Sequence, residues 1–124
     1  VRRDDAEHTE PAEVVRDYYG RVDANDVEGT VSLFARDAIY ERPGYGSLLG
    51  HRALRDFYAS RRSIASGRHE LTWVVSDANR VAVMGRFEGT LRTGEDVAIG
   101  FADFFEIEGG VIAQRHTLFA VPAV

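Results

Sequence analysis

The sequence predicts an α+β domain, with helices first and then a curved, mostly antiparallel sheet that wraps them. Three observations carry this. Up to about Ala65 the apolar residues recur at helical spacing, whereas from His69 onward they alternate with polar ones. The alternating segments follow the helical ones rather than interleaving with them, which favours a segregated α+β layout over a parallel α/β one. The links between them, Asp77-Ala78-Asn79, Arg92-Thr93-Gly94-Glu95 and Gly109-Gly110, are short enough for antiparallel hairpins.

Taken in order, Thr9 can cap a first helix whose opening turn holds Glu10, Pro11 and Glu13, residues favoured at that end. Val14, Val15, Tyr18 and Val22 form its apolar stripe, and it runs to about Ala24. Asp26 can cap a second, short helix carrying Val27, Val31 and Phe34 and ending near Ala35. A short strand from Ala38 to Arg42 follows, stopped by Pro43, and Pro43, Gly44, Gly46 and Gly50 mark a loop. Leu54, Phe57 and Tyr58 then recur at helical spacing, predicting a third helix up to about Ala65 and Gly67. Four strands complete the chain: His69 to Ser76, Val81 to Leu91, Val97 to Glu108 and Val111 to Phe119. Residues 10–124 read as a single domain and 1–9 as a flexible leading segment, with no internal repeat, low-complexity stretch or linker.

Composition removes several function classes. A chain of 124 residues can bury enough apolar surface to fold without disulfides or a structural metal. With 44% hydrophobic and 28% charged residues it reads as a soluble protein, and no apolar run is long enough to cross a bilayer. The charged stretch from Val1 to Glu10 lacks the apolar core of a secretory signal, so a cytoplasmic location is expected. A net charge of -5, with scattered arginines, disfavours nucleic acid as a partner. Every Lys/Arg position is Arg, which removes Schiff-base chemistry and the phosphate-loop lysine, and the absence of Cys removes thiol nucleophiles and thiolate metal sites. His8, His51 and His69 show no ligand spacing with carboxylates, so neither metal nor cofactor is expected. Any chemistry must use carboxylates, Tyr, His, Arg or Ser.

Strand parity isolates the candidate groups. Ile99, Phe101, Asp103, Phe105 and Ile107 share one face, so Asp103 interrupts an apolar stripe. Burial without a partner would keep its carboxyl protonated and able to donate, while a neighbouring Arg would do the opposite. A structural ion pair or a water-facing edge position is the other reading. Met84, Arg86, Glu88 and Thr90 share a face opposite Val81, Val83, Gly85, Phe87 and Leu91, so Arg86 and Glu88 point the same way, and on a solvent face they would form an ordinary exposed pair. Arg115, Thr117 and Phe119 alternate against Gln114, His116 and Leu118.

The order Tyr18-Tyr19, Asp23-Ala24-Asn25-Asp26, Phe34-Ala35-Arg36-Asp37-Ala38-Ile39-Tyr40, Gly50 before the helix with Phe57-Tyr58, and Asp103-Phe104-Phe105-Glu106-Ile107 before Gly110-Val111-Ile112 resembles the NTF2-like superfamily, in particular its SnoaL-like and ketosteroid-isomerase-like branch. The resemblance implies a cone whose sheet curls around three N-terminal helices, with a pocket at one end and pairing of copies through the outer sheet face. Set against the ketosteroid isomerases, Tyr18 falls at the oxyanion-hole tyrosine, Asp103 at a protonated aspartic acid and Tyr58 at a pocket tyrosine. Arg42 replaces the general-base Asp expected just before the proline of the short strand, and the adjacent Glu41 lies on the opposite strand face. Against limonene-type epoxide hydrolases, Arg86-Phe87-Glu88 is similar to their Arg-x-Asp element and Tyr40 matches their tyrosine. Arg42 stands at their Asn, and their second Asp falls near Thr117.

These readings predict a cofactor-independent enzyme of isomerase, cyclase or epoxide-hydrolase type acting on a small hydrophobic substrate such as a polyketide, terpenoid or steroid-like molecule. Asp103 would act as acid or base and Tyr18 as donor to a developing oxyanion. Arg86 would position Glu88 or Asp103, and Tyr40, Arg42, Tyr58, Phe101 and Arg115 would line the pocket. The rival expectation is a non-catalytic ligand-binding or dimerisation module of the same fold. A homodimer is expected through the convex face bearing Phe104, His116 and Leu118.

Overall fold

A computed structural model of the chain describes residues 10–121. Helix α1 (Pro11–Asp23) opens on a proline, whose missing N–H is no loss in a first turn. Glu10 flanks it without a side-chain capping bond, and the expected cap, Thr9, lies outside the described residues, as does the segment 1–9. The helix buries Val14, Val15, Tyr18, Tyr19 and Val22, an arc wider than the single stripe expected. Asp26 caps α2 (Val27–Ser32), its Oδ1 accepting from the Gly29 N–H at 2.9 Å.

Three boundaries differ from the sequence reading. Phe34 and Ala35 do not extend α2 but open β1 (Phe34–Arg42). Phe34 registers with Ile112, and the Ile112 N–H donates to the Leu33 carbonyl at 2.8 Å, so a partner late in the chain overrides local helical spacing. The expected loop after Pro43 contains β2 (Gly46–Leu49), which folds back on β1 from Arg42↔Gly46 to Ile39↔Leu49. The third helix is α3 (Gly50–Asp56) followed by a π-helical turn, Phe57–Arg61, and it stops before Ala65 because Ile64 begins β3 (Ile64–Asp77). Pairing along the whole of β4 (Arg80–Leu91) gives that segment backbone partners no helix extension could match.

β5 (Asp96–Glu108) and β6 (Val111–Phe119) follow the expected spans closely. The six strands form one sheet in the order β2-β1-β6-β5-β4-β3, antiparallel throughout except for the parallel β1–β6 pair. Register shifts in β3, between β1 and β6, and between Glu106 and Ile107 bend the strands, and the helices pack on the inner face of the resulting curve. Val81, Val83, Phe87, Ile99, Phe101, Phe105, Ile107 and Ile112 face inward and join the helix side chains in one core. Trp73, Val75, Met84, Phe104 and Leu118 are exposed. Among the described residues, no helix is long and apolar enough to cross a membrane.

Candidate functional site

Strand parity on β5 carries Asp103 to the inner face, where it is 0% exposed. Thr117 of β6 lies directly across from it, and Arg115 is one inward step away, across from Phe105. On the far side of β6, Tyr40 of β1 registers with Arg115. Helix α1 lays Tyr18 and Tyr19 onto the same spot, and the π-helical turn supplies Tyr58. Four tyrosines, two arginines, a threonine and an aspartate therefore meet inside an otherwise apolar core.

The hydrogen bonds have a direction. Asp103 Oδ1 accepts from Arg115 Nε at 3.2 Å and from the Thr117 hydroxyl, and Oδ2 accepts from Arg115 Nη2 at 2.8 Å and from the Tyr19 hydroxyl. A carboxylate has about four acceptor positions, so all of them are filled. Because Thr117 donates to Asp103, it receives from Tyr40 at 3.2 Å, and Tyr40 in turn accepts from Arg42 Nη1 at 3.0 Å. On the other side Arg115 Nη1 donates to the Tyr18 oxygen and, at 3.2 Å, to the Tyr58 oxygen, while the two phenols lie 2.6 Å apart. The Arg115 guanidinium also sits over the rings of Tyr40, at 4.4 Å, and Tyr18, at 4.6 Å.

Burial alone would push the Asp103 carboxyl up, but the charge of Arg115 and the donors Arg115, Thr117 and Tyr19 together outweigh it and hold the carboxyl below its ordinary range. Asp103 is thus an ionised acceptor rather than the protonated donor that the resemblance implies, because Arg115 lies against it. The phenols move the other way. Burial raises Tyr18 well above its usual value despite Arg115, and raises Tyr58 to about 12. Both stay protonated at neutral pH, and one of them donates to the other.

Of the expected site residues, Tyr18, Tyr40, Tyr58, Asp103 and Arg115 converge, and Arg42 joins through Tyr40. Phe101 reaches the network only through its ring contact with Tyr19, at 5.9 Å. Arg86 and Glu88 do not belong. They pair at 3.5 Å on the outer face of β4, with side chains 54% and 61% exposed, because the parity that turns Val83 and Phe87 inward turns them out. Arg86 therefore positions Glu88 only as an exposed partner and reaches no part of the Asp103 network. Two members of the network were not among the expected site residues. Thr117 shares the inward parity of Arg115, and Tyr19 follows Val15 at helical spacing, so each carried a signal in the sequence. His69 is paired with Asp23, its Nδ1 2.6 Å from Asp23 Oδ1, and among the described residues no group of three His, Asp or Glu side chains is placed to hold a metal ion.

With this architecture in view, the sequence profile of the SnoaL-like domain matches residues 15–115. The chain belongs to the SnoaL-like family. Its fold is NTF2-like, as solved structures show. The epoxide hydrolase/cyclase-like enzyme SalBIII, involved in pyran ring formation in the polyether salinomycin, superposes with a TM-score of 0.80 at 24% identity, over 94% of this chain and 95% of that one. TerC, co-crystallised with polyporic acid, gives 0.78 at 23% identity over 89% and 92%. An LEH-like epoxide hydrolase from M. tuberculosis gives 0.78 at 16% identity over 90% and 83%. No curated protein matches the sequence. This SnoaL-like domain shares its fold with a cyclase-like enzyme and an epoxide hydrolase.

Proposed function

We propose that this SnoaL-like protein is a cofactor-independent enzyme that stabilises a developing oxyanion on a small apolar substrate, with the phenols of Tyr18 and Tyr58 as donors. One observation carries the reading. Arg115 donates to both phenol oxygens, and the two phenols bond to each other. Whichever donates to the other, the second keeps a proton with no acceptor among the described residues. A protonated phenol backed by a guanidinium in a buried site is suited to an oxygen that gains negative charge in the transition state. Asp103 supplies the counter-charge that fixes Arg115, and with its acceptor positions filled it acts as a positioning group.

Among the described residues the interior offers donors but no free carboxylate base, so the best-suited reaction is one in which the substrate provides the nucleophile. Ring closure fits: a substrate hydroxyl attacks an electrophilic carbon, a new C–O bond forms as an epoxide C–O bond or the enone C=C π bond breaks, the phenol gives its proton to the oxygen that gains charge, and the attacking hydroxyl's proton restores the phenol. Nothing is consumed, so no cofactor is required. The similarity to SalBIII supports this class, with polyketide-like hydroxy-epoxides or enones as substrates. Tyr58 also lines a crevice between α1, α2 and the π-helical turn, and π-helical turns often mark functional positions.

The test is turnover of a panel of hydroxy-epoxides and polyketide-like enones, followed by chromatography and mass spectrometry. Tyr58→Phe should lower kcat by about 10²–10³ while melting close to the parent. Unchanged turnover in both Tyr58→Phe and Tyr18→Phe overturns the reading.

A second reading, a binding or dimerisation module, is favoured by the outer sheet face. A trough of about 480 Å³ there is bordered by Ile39, Glu41, Val75, Arg80, Phe104 and His116, among others, with exposed Met84 and Leu118 on the same sheet. Apolar exposure of this kind suits a homodimer. Sedimentation should show a dimer that Phe104→Asp converts to monomer; a monomeric parent at micromolar concentration removes this reading.

A further inference from the structure

The crevice beside Tyr58 has a chemistry of its own. Its wall is formed by Val22, Asn25, Asp26, Val27, Thr30, Tyr58 and Arg62. Arg62 is only 6% exposed and Thr30 only 1%. The Arg62 Nε–H and the Thr30 hydroxyl are both buried, and neither has a hydrogen-bond partner. No carboxylate among the described residues lies within ion-pairing distance of Arg62, whose guanidinium instead stands 5.8 Å from the Tyr58 ring. The acid on the wall, Asp26, is exposed at the rim and engaged in capping α2 through Gly29. Two buried donors left unsatisfied on the wall of one crevice, one of them on a cationic side chain, are an arrangement that native interiors avoid unless something else completes it.

We infer that this crevice is a binding site for a small monovalent anion, a halide or one carboxylate oxygen of an organic acid, held by the Arg62 Nε–H and the Thr30 hydroxyl. Size and chemistry agree. The free volume is about 10 Å³, room for about one water-sized group. Both unsatisfied groups can donate, and the guanidinium supplies the charge that distinguishes an anion from a water. Val22, Val27 and the Tyr58 ring make the surroundings apolar, which strengthens the attraction by limiting screening. Burial lowers the Arg62 pKa from its ordinary value, the direction expected of a cation not matched by a buried anion. The site borders the proposed catalytic pair at Tyr58, but its two donors are distinct from that pair, since neither Arg62 nor Thr30 hydrogen-bonds to Tyr18, Tyr58, Arg115 or Asp103.

The experiment follows the Arg62 Nε–H resonance in ¹⁵N-labelled protein, assigned with Arg62→Gln, while sodium formate or sodium chloride replaces sodium sulfate at constant ionic strength. Sulfate, a dianion that holds its hydration shell more tightly and is excluded from protein surfaces, serves as the reference against which the monovalent anions are compared. A saturable shift confined to Arg62 is expected, weakened by about tenfold or more in Thr30→Val and retained in Thr30→Ser. Saturation with both salts identifies a general monovalent-anion site, and saturation with formate alone identifies a carboxylate site. No saturable shift with either salt, or an undiminished one in Thr30→Val, overturns the inference. Because Thr30 takes no part in the phenol pair, this failure leaves the Tyr58→Phe test of catalysis standing on its own result.

Discussion

Replacing Asp103 by Asn exchanges one carboxylate oxygen for an NH₂ group and tests whether the buried network is an ion pair or an uncharged donor set. In the parent, Oδ1 and Oδ2 together accept four hydrogen bonds, two of them from Arg115. An Asn can still accept on its oxygen, but its NH₂ confronts two donors, either Arg115 Nη2 and the Tyr19 hydroxyl or Arg115 Nε and the Thr117 hydroxyl. Arg115, 4% exposed, is then left charged without its counter-ion. Breaking a buried pair from one side costs ~3–5 kcal/mol. With roughly 2.1 cal/mol/K of unfolding entropy per residue over 124 residues, about 0.26 kcal/mol/K in all, this lowers Tm by roughly 12–19 °C. Calorimetry at neutral pH measures it directly. Replacing both partners, Asp103→Leu with Arg115→Met, should recover much of the loss, since no uncompensated charge remains. If Asp103→Asn melts within about 3 °C of the parent, less than ~1 kcal/mol on the same scale, the carboxylate is not the ionised anchor described above.

Acid should destabilise the fold in two steps. Burial lowers the His69 pKa below 6.5 despite Asp23, and the Asp103 pKa lies below 3.8. Each unfolded group binds its proton first as the pH drops, so stability is full above 6.5, falls as the pH passes from there through the folded His69 value, and falls again from 3.8 through the folded Asp103 value. Denaturant titrations across pH should show both declines, and His69→Gln should remove the upper one alone. Arg86→Ala or Glu88→Ala should change stability by no more than ~0–1 kcal/mol and leave turnover at the parental level, because the pair is exposed on the outer face. Asp26→Ala should cost about 1 kcal/mol through loss of the α2 cap, measured by chemical denaturation.

The candidate site was half legible in the sequence. Parity was enough to put Asp103 in the apolar stripe of β5 and Arg115 with Thr117 on one face of β6, since alternation is a property of the strand alone, whereas the β5–β6 register that brings the two faces together came from the structure. Parity could not say which face of β4 is the inner one, and Arg86 and Glu88 were assigned to the wrong side of that choice although Val83 and Phe87 pointed the other way. The protonation state of Asp103 was likewise beyond the sequence. Burial pushes a carboxyl up and a guanidinium pulls it down, and the outcome depends on whether Arg115 sits a few ångströms away or on another wall.

By itself the sequence determined that helices precede a meander, that Asp26 caps a helix, where the last three strands run, and that no lysine or cysteine chemistry is available. These follow from periodicity, turn residues and composition, which act over a few residues. Tertiary structure alone decided that Phe34 opens a strand, that Gly46 to Leu49 pairs with β1, that the third helix ends in a π-helical turn, and that Arg62 and Thr30 share one crevice. Each of those depends on a partner distant in the chain, such as Ile112 for Phe34 or β4 for Ile64, and a local pattern carries no information about which distant segment will arrive to supply the hydrogen bonds and the packing surface.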